Sequence, residues 1–377
     1  MSRPFMLAAT ALASAGVAMA QAPQPPAAES APAPQAEESE ADRAAVVERL
    51  ATVLEENFVF PEVARRYASA LRTKASQGGY AHLGDRFAET IVADLQAIHP
   101  DRHLRVGRGA GGFGGPRRIV RTDGGPGPAT SGAGAEPRRI VGMPDPSTAI
   151  GRSGWIADGV AYIELNLFPG TPETVERIGS LLDAYRDART LIFDIRNHRG
   201  GGPAEMDAIF SRIFASETPL VGMDTRLAVD ERRRGAMSEP PTMRRVSGPE
   251  GVVRRIHYAL PVGPDTPLRH ARIFLLTSQR SGSAAEHFAL AMKRSGRATL
   301  IGETTAGAGH YGGPVDLGHG YSAFVPVGRS FDPDTDEEWE GVGVSPNIQV
   351  PADQALEEAL RRAGVAPEQR RTIASAG

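Results

Sequence analysis

The chain has 377 residues, a formal net charge of -3 and no cysteine. That length makes one large or two medium domains, and the balanced charge points to neither nucleic acid nor an anionic membrane as a partner. The missing cysteines remove disulfides, thiolate nucleophiles and cysteine zinc sites, and suit an oxidising compartment.

Arg3 precedes a short apolar run that ends in Ala18-Met19-Ala20, an A-x-A cleavage site. Residues 1–20 therefore read as a signal peptide, and the protein as exported, periplasmic or secreted. The run is short for a spanning helix, so no stable membrane insertion is expected after cleavage. An alanine-rich disordered start or an uncleaved anchor are the other readings. Residues 21–40 are a Pro/Ala/Glu tract, expected as a disordered linker.

Residues 41–106 read as an N-terminal helical bundle. Val47, Leu50, Val53 and Leu54 recur at helical spacing. Pro61 opens a second helix that Gly78-Gly79 ends, and a third runs from Asp85 to Ile98 before Pro100. His103 follows in Asp101-Arg102-His103-Leu104, where a histidine is either a polar surface residue or a functional one. Residues 107–153, rich in Gly, Pro and Arg, are expected as a mobile insertion with room for one hairpin.

Residues 154–365 alternate strand and helix, so the fold class is α/β. Leu191–Ile195 is a continuously apolar strand of the buried parallel kind. It runs into Arg196-Asn197-His198-Arg199-Gly200-Gly201-Gly202 and then a helix. This glycine run lacks both phosphate-loop signatures, which leaves an oxyanion-binding turn or a plain left-handed turn. Residues 223–254 are polar and Arg-rich, expected as surface excursions, and Ile256–Leu260 as an edge strand. Ile273–Leu276 reads as a strand, Thr277–Gly282 as a turn, and a helix starts at Ser283. A serine there has two readings. It closes a capping box with Glu286, or it is a nucleophile with the Ala284 N–H as an oxyanion donor. Residues 313–317 and 321–327 alternate as a hairpin, and a last helix covers 352–363.

The ordered set of short motifs carries a resemblance. Phe58–Glu62 (FVFPE), Asp101–Leu104 (DRHL), Asp194–Pro203 (DIRNHRGGGP), Ser283–Ala289 (SAAEHFA), Ile301–His310 (IGETTAGAGH), Phe324–Arg329 (FVPVGR) and Trp339–Val350 (WEGVGVSPNIQV) stand in that order. The sequence resembles the tail-specific, carboxy-terminal processing serine proteases. It is most similar to the branch with the interphotoreceptor retinoid-binding protein repeats and the tricorn core protease.

The resemblance implies a ClpP/crotonase-like α/β core with an N-terminal helical bundle. It also implies a nucleophile at Ser283 and an oxyanion hole from Ala284, Gly200 and Gly201. Many relatives carry a lysine base where this chain has Ala308, and Lys293 does not match that place. The tricorn-like arrangement instead implies a Ser283, His103 and Glu340 triad, with His310 as the competing base. The implied function is an exported serine endopeptidase acting on peptides or unfolded proteins. The alternative is a vestigial binding protein for small apolar ligands. No metal or cofactor is expected: there is no H-E-x-x-H, and His99 and His103 flank a proline.

Overall fold

The structure, a computed structural model, describes residues 39–109, 146–233 and 239–373. The expected signal peptide, most of the linker and most of the insertion lie outside the described residues.

Three helices come first: α1 (Glu40–Asn57), α2 (Pro61–Ser76) and α3 (Phe87–Ile98). Ser39 caps α1 through a reciprocal pair of bonds with Asp42, and Pro61 occupies the first turn of α2. The remaining elements, in chain order, are β1 (Arg105–Arg108), β2 (Ile150–Ala157), β3 (Val160–Leu165), α4 (Pro172–Ala184), β4 (Thr190–Asp194), α5 (Ala204–Ile213), β5 (Thr218–Arg226), α6 (Leu227–Arg233), β6 (Met243–Val246), β7 (Val252–Ala259), α7 (Pro267–His270), β8 (Arg272–Thr277), α8 (Ala284–Arg294), β9 (Thr299–Gly302), β10 (His310–Gly318), β11 (Tyr321–Phe331), β12 (Ile348–Gln349) and α9 (Ala355–Ala363).

Two sheets form. One runs β12-β9-β8-β4-β3-β2 and is parallel except for β2. β4 is buried along its length, and its side chains alternate between two cores. Leu191 and Phe193 face a core with Phe210 and Phe288, while Ile192 faces one with Ala355, Ala359 and Leu360. The other sheet is antiparallel, β1-β11-β5-β7-β6, with β10 also on β11. The helical layer α1–α3 shares one core with this sheet through Leu317, Tyr321, Ala323 and Val325.

Three sequence expectations need correction. Gly107 and Arg108 belong to β1, and β2 begins at Ile150, so both flanks of the expected insertion are strands. Only part of residues 223–254 is surface: Asp224 and Thr225 in β5 are buried, and so are Val229 and Asp230 in α6, whereas residues 244–250 are exposed as expected. β7 lies between β5 and β6 rather than at an edge. The polar look of this region has a physical cause. Asp224 is buried because it pairs with Arg254 at 2.7 Å and with Arg329 at 3.1 Å, so its charge is compensated inside the sheet.

Candidate active site

β4 and β8 are neighbours in register, Asp194 opposite Leu276, so the loops that leave their C-terminal ends lie side by side. That is where open parallel sheets hold their ligands. The two loops are stitched together: Ser281 Oγ donates to the Ile195 carbonyl at 2.7 Å, and Gly282 N–H to the His198 carbonyl at 3.1 Å.

Ser283 starts α8 with φ +58° and ψ -119°, one of three described non-glycine residues with positive φ. Such backbone costs about 1–3 kcal/mol and persists only where its surroundings impose it. Here the Glu286 carboxylate accepts the Ser283 N–H at 2.8 Å, while the Glu286 N–H goes to the Ser283 main-chain carbonyl at 2.8 Å. The capping is thus carried by Glu286 and by backbone, which leaves the hydroxyl to other uses. Gly200 packs on Ser283 so closely that a Cβ there would sit 2.8 Å from the Ser283 Cβ and 3.2 Å from Oγ. A Cβ on Gly201 would meet the Phe168 carbonyl oxygen at 1.8 Å. Both positions require glycine.

The amides of Ala284 and Gly201 make no hydrogen bond among the described residues. The Gly200 amide differs from what the sequence suggests. It donates to His198 Nδ1 at 3.1 Å, so the oxyanion-donor role expected for it is already filled by a protein acceptor. His198 is fully buried, its ring edge-on to Phe168 at 4.2 Å, and burial pushes its pKa down to about 3. A neutral imidazole can accept that N–H.

Glu286 was legible only as a helix cap, yet it is fully buried and takes four donors. Oε1 accepts from Thr305 Oγ1 at 2.6 Å and Gly307 N–H at 2.6 Å; Oε2 accepts from Ser283 N–H at 2.8 Å and Ala308 N–H at 2.8 Å. Burial pushes its pKa up, and these donors only partly offset that.

His103 and Glu340 meet, His103 Nδ1 lying 3.6 Å from Glu340 Oε2. Glu340 also accepts from Arg102 N–H at 2.7 Å, Gly309 N–H at 2.7 Å and His310 N–H at 3.1 Å. Burial raises its pKa, but the adjacent His103 imidazole, the His310 charge and the Arg102 amide outweigh this and hold it at about 2. Successive residues of one loop thus join the two halves: Ala308 is tied to Glu286, and Gly309 to Glu340.

His310 is buried between carboxylates, with Nδ1 2.7 Å from Asp101 Oδ2 and Nε2 3.4 Å from Glu338 Oε2. Burial lowers its pKa, but the bonds to Asp101 and Glu338 and the nearby Glu340 raise it overall, to about 10. It is an imidazolium at neutral pH and has no lone pair for a serine proton. Single atoms of Asp101, His103 and Glu340 lie within 4.8 Å of one another, a spacing a cation could use. However, both oxygens of each carboxylate already accept hydrogen bonds: Asp101 Oδ1 from the His103 and Leu104 amides, Oδ2 from His310, and Glu340 from the three amides above.

A cleft of about 70 Å³ opens at Ser283, with Ala284, Gly201, Ala308, His310 and His287 among its lining residues. His103 is not among them; its connection to the cleft is indirect, through Glu340, which accepts the Gly309 N–H. Asp101, His287 and Glu338 carried no signal in their local sequence, because each acts through a partner distant in the chain.

Comparison with known proteins follows this geometry. A family model described as Peptidase family S41 matches residues 159–350, and one described as the N-terminal domain of Peptidase S41 in eukaryotic IRBP matches residues 38–110. A carboxyl-terminal-processing peptidase 3, chloroplastic, of Arabidopsis thaliana is 34% identical over 188 residues, 50% of this chain and 31% of that protein. The match therefore spans under a third of that relative's length. The photosystem II D1 C-terminal processing protease superposes with a TM-score of 0.52 at 18% identity, covering 85% of this chain and 97% of its own. A structure from Parabacteroides merdae described as a peptidase gives 0.53 at 16% identity, covering 89% and 99%. These two share the fold.

Proposed function

The chain belongs to peptidase family S41, and on that premise we propose that it is a serine endopeptidase that hydrolyses peptides or unfolded proteins through Ser283, His103 and Glu340. The observation that carries this reading is the strained Ser283 at the start of α8, beside two unengaged amides and a glycine turn.

In the proposed reaction Ser283 Oγ attacks the peptide carbonyl and its proton passes to His103. The tetrahedral oxyanion is met by the Ala284 and Gly201 N–H groups and by the positive end of α8. His103 then protonates the leaving amine, and water, activated by the same imidazole, releases the acyl group. Glu340 orients His103. Their 3.6 Å separation is longer than a hydrogen bond, as free-enzyme geometries often are before substrate tightens them. His310, held as a cation, does not compete for the proton.

The small cleft at Ser283 favours this reading over an apolar-ligand carrier, and the larger cavity of about 540 Å³ elsewhere is lined by the charged side chains of Asp158, Arg189, Arg272 and Arg371. Pockets for drug-sized ligands run to about 300–1,000 Å³, against about 70 Å³ at Ser283. Among the described residues no helix is long and apolar enough to cross a membrane. We assign the protein to the exported class on its N-terminal pattern, with cleavage after Ala20, which intact-mass measurement of secreted or periplasmic material checks.

The test of the nucleophile is labelling by a fluorophosphonate probe together with hydrolysis of an unfolded protein. Wild type should label and cleave, and Ser283→Ala should do neither. His103→Ala should lose cleavage by several orders of magnitude. Full activity in His103→Ala would remove it from the triad.

A further inference from the structure

One helical turn from Ser283, His287 lines the same cleft, and a chain of polar groups that ends on the partly exposed Asp207 stands behind it. His287 Nε2 is 2.9 Å from His257 Nδ1, and His257 Nε2 is 2.8 Å from Asp207 Oδ1. Thr242 Oγ1 donates to the other Asp207 oxygen at 3.1 Å. Both imidazoles are buried, His257 completely and His287 to 5% exposure. The His287–His257–Asp207 line plays no part in the proposed triad.

For neutral imidazoles, Asp207 sets the direction of every proton in this line. A carboxylate only accepts, so Asp207 takes the Nε2–H of His257. A neutral His257 then has a lone pair on Nδ1, which takes the Nε2–H of His287. The remaining ring nitrogen, His287 Nδ1, is left with a lone pair. It makes no hydrogen bond among the described residues and is not sealed from the cleft. The neighbouring wall is apolar, with Met206, Met223 and Trp339. His287 Nδ1 is thus one fixed acceptor beside an apolar stretch of the cleft wall, with Ser283, His310, Tyr311 and Ser330 elsewhere in the lining.

We propose that His287 is a specificity-determining residue: its Nδ1 accepts a hydrogen bond from a short hydroxyl-bearing side chain, threonine or serine, on the substrate residue that enters the cleft beside Ser283. The proposal rests on the peptidase reading, and its test separates the two. Threonine and valine are nearly the same shape, so a preference between them reports the hydrogen bond alone. A ligand lacking the donor leaves a buried acceptor unsatisfied, which sets a preference of about tenfold or more.

The measurement is binding of unstructured peptides that end in Thr, Val or Asn to the full-length Ser283→Ala protein, alongside hydrolysis by wild type of peptides with the same residue before the scissile bond. Thr over Val by about tenfold in binding is expected. His287→Met, which keeps the apolar volume, should reduce that ratio to about one. Asp207→Asn, at the outer end of the relay, should reduce it as well, because an amide no longer dictates the direction of the protons. Equal binding of Thr and Val by the Ser283→Ala protein overturns the proposal, as does a preference for Asn through its acceptor oxygen. If peptides are cleaved without a Thr preference, the specificity proposal fails and the peptidase reading stands. If they bind with that preference but are not cleaved, the outcome is reversed.

Discussion

His198 is the residue through which the glycine turn and the serine turn are held together. Its ring accepts the Gly200 N–H and its carbonyl accepts the Gly282 N–H, one bond to each side of the cleft. His198→Leu leaves a buried amide without an acceptor, about 1–3 kcal/mol of stability, and lets the neighbouring Gly201 amide drift. Because an oxyanion donor acts mainly in the transition state, the expected kinetic signature is a kcat reduced roughly ten- to hundredfold with little change in KM. His198→Asn, whose side-chain oxygen can take the same N–H, should restore most of it. A KM effect of equal size in both variants would assign His198 to packing alone.

At the same scale, the charges around His310 make stability depend on pH in two windows. The folded His310 keeps its proton to about pH 10, whereas an unfolded histidine releases it near pH 6.5. Unfolding in that window releases a proton, so the stabilisation is complete below about 6.5 and is lost as pH rises towards 10. Glu340 runs the other way: held at about 2 against an ordinary 4.5, it stabilises above 4.5 and that contribution is lost as pH falls towards 2. Urea unfolding midpoints between pH 7 and 10 should fall, and Asp101→Asn should flatten that slope. A slope unchanged in Asp101→Asn would exclude the His310–Asp101 pair as its source.

At the scale of elements, the organising contact is between α8 and the loop from Thr304 to Gly309. Glu286 offers two acceptor oxygens to four donors, and Thr305 Oγ1 passes the connection on by accepting Val344 N–H at 2.7 Å. Glu286→Gln keeps the shape but replaces one oxygen by an amide donor that faces two N–H or O–H groups. With two buried donors unsatisfied the cost is about 2–5 kcal/mol. The lowered denaturation midpoint should be accompanied by loss of probe labelling at Ser283, whose amide is one of the four. Wild-type labelling with reduced stability would separate the loop from the conformation of Ser283.

At the scale of the whole molecule, the parallel core was legible because its strands are apolar runs and its helices are amphipathic, patterns that local sequence carries. β4, β8 and the start of α8 lie within a residue or two of where periodicity puts them. β5 to β7 were not legible, since Asp224, Arg254 and Arg329 read as solvent-facing until their pairing across three strands is known. The site divides in the same way. Ser283 and the glycines announce themselves by turn chemistry, and Glu340 and His103 only through resemblance. The His287–His257–Asp207 line depends on contacts between elements distant in the chain. In three dimensions α1–α3 share a core with β10 and β11, a contact that no local pattern carries.

The bonds that close the site span unusual lengths of chain: Arg102 N–H to Glu340 crosses 238 residues and His310 to Asp101 crosses 209. Loops of that size are costly to close, and contacts so remote in sequence form late when a chain collapses. The proposed site is therefore also a timer, since the parallel sheet is built from nearer neighbours and can be in place while these remote bonds are still unmade. During refolding from urea, far-UV circular dichroism should recover first and probe labelling should follow with a measurable lag. A newly made chain would then pass through a folded but silent interval before it could cut anything, its own unfolded siblings included.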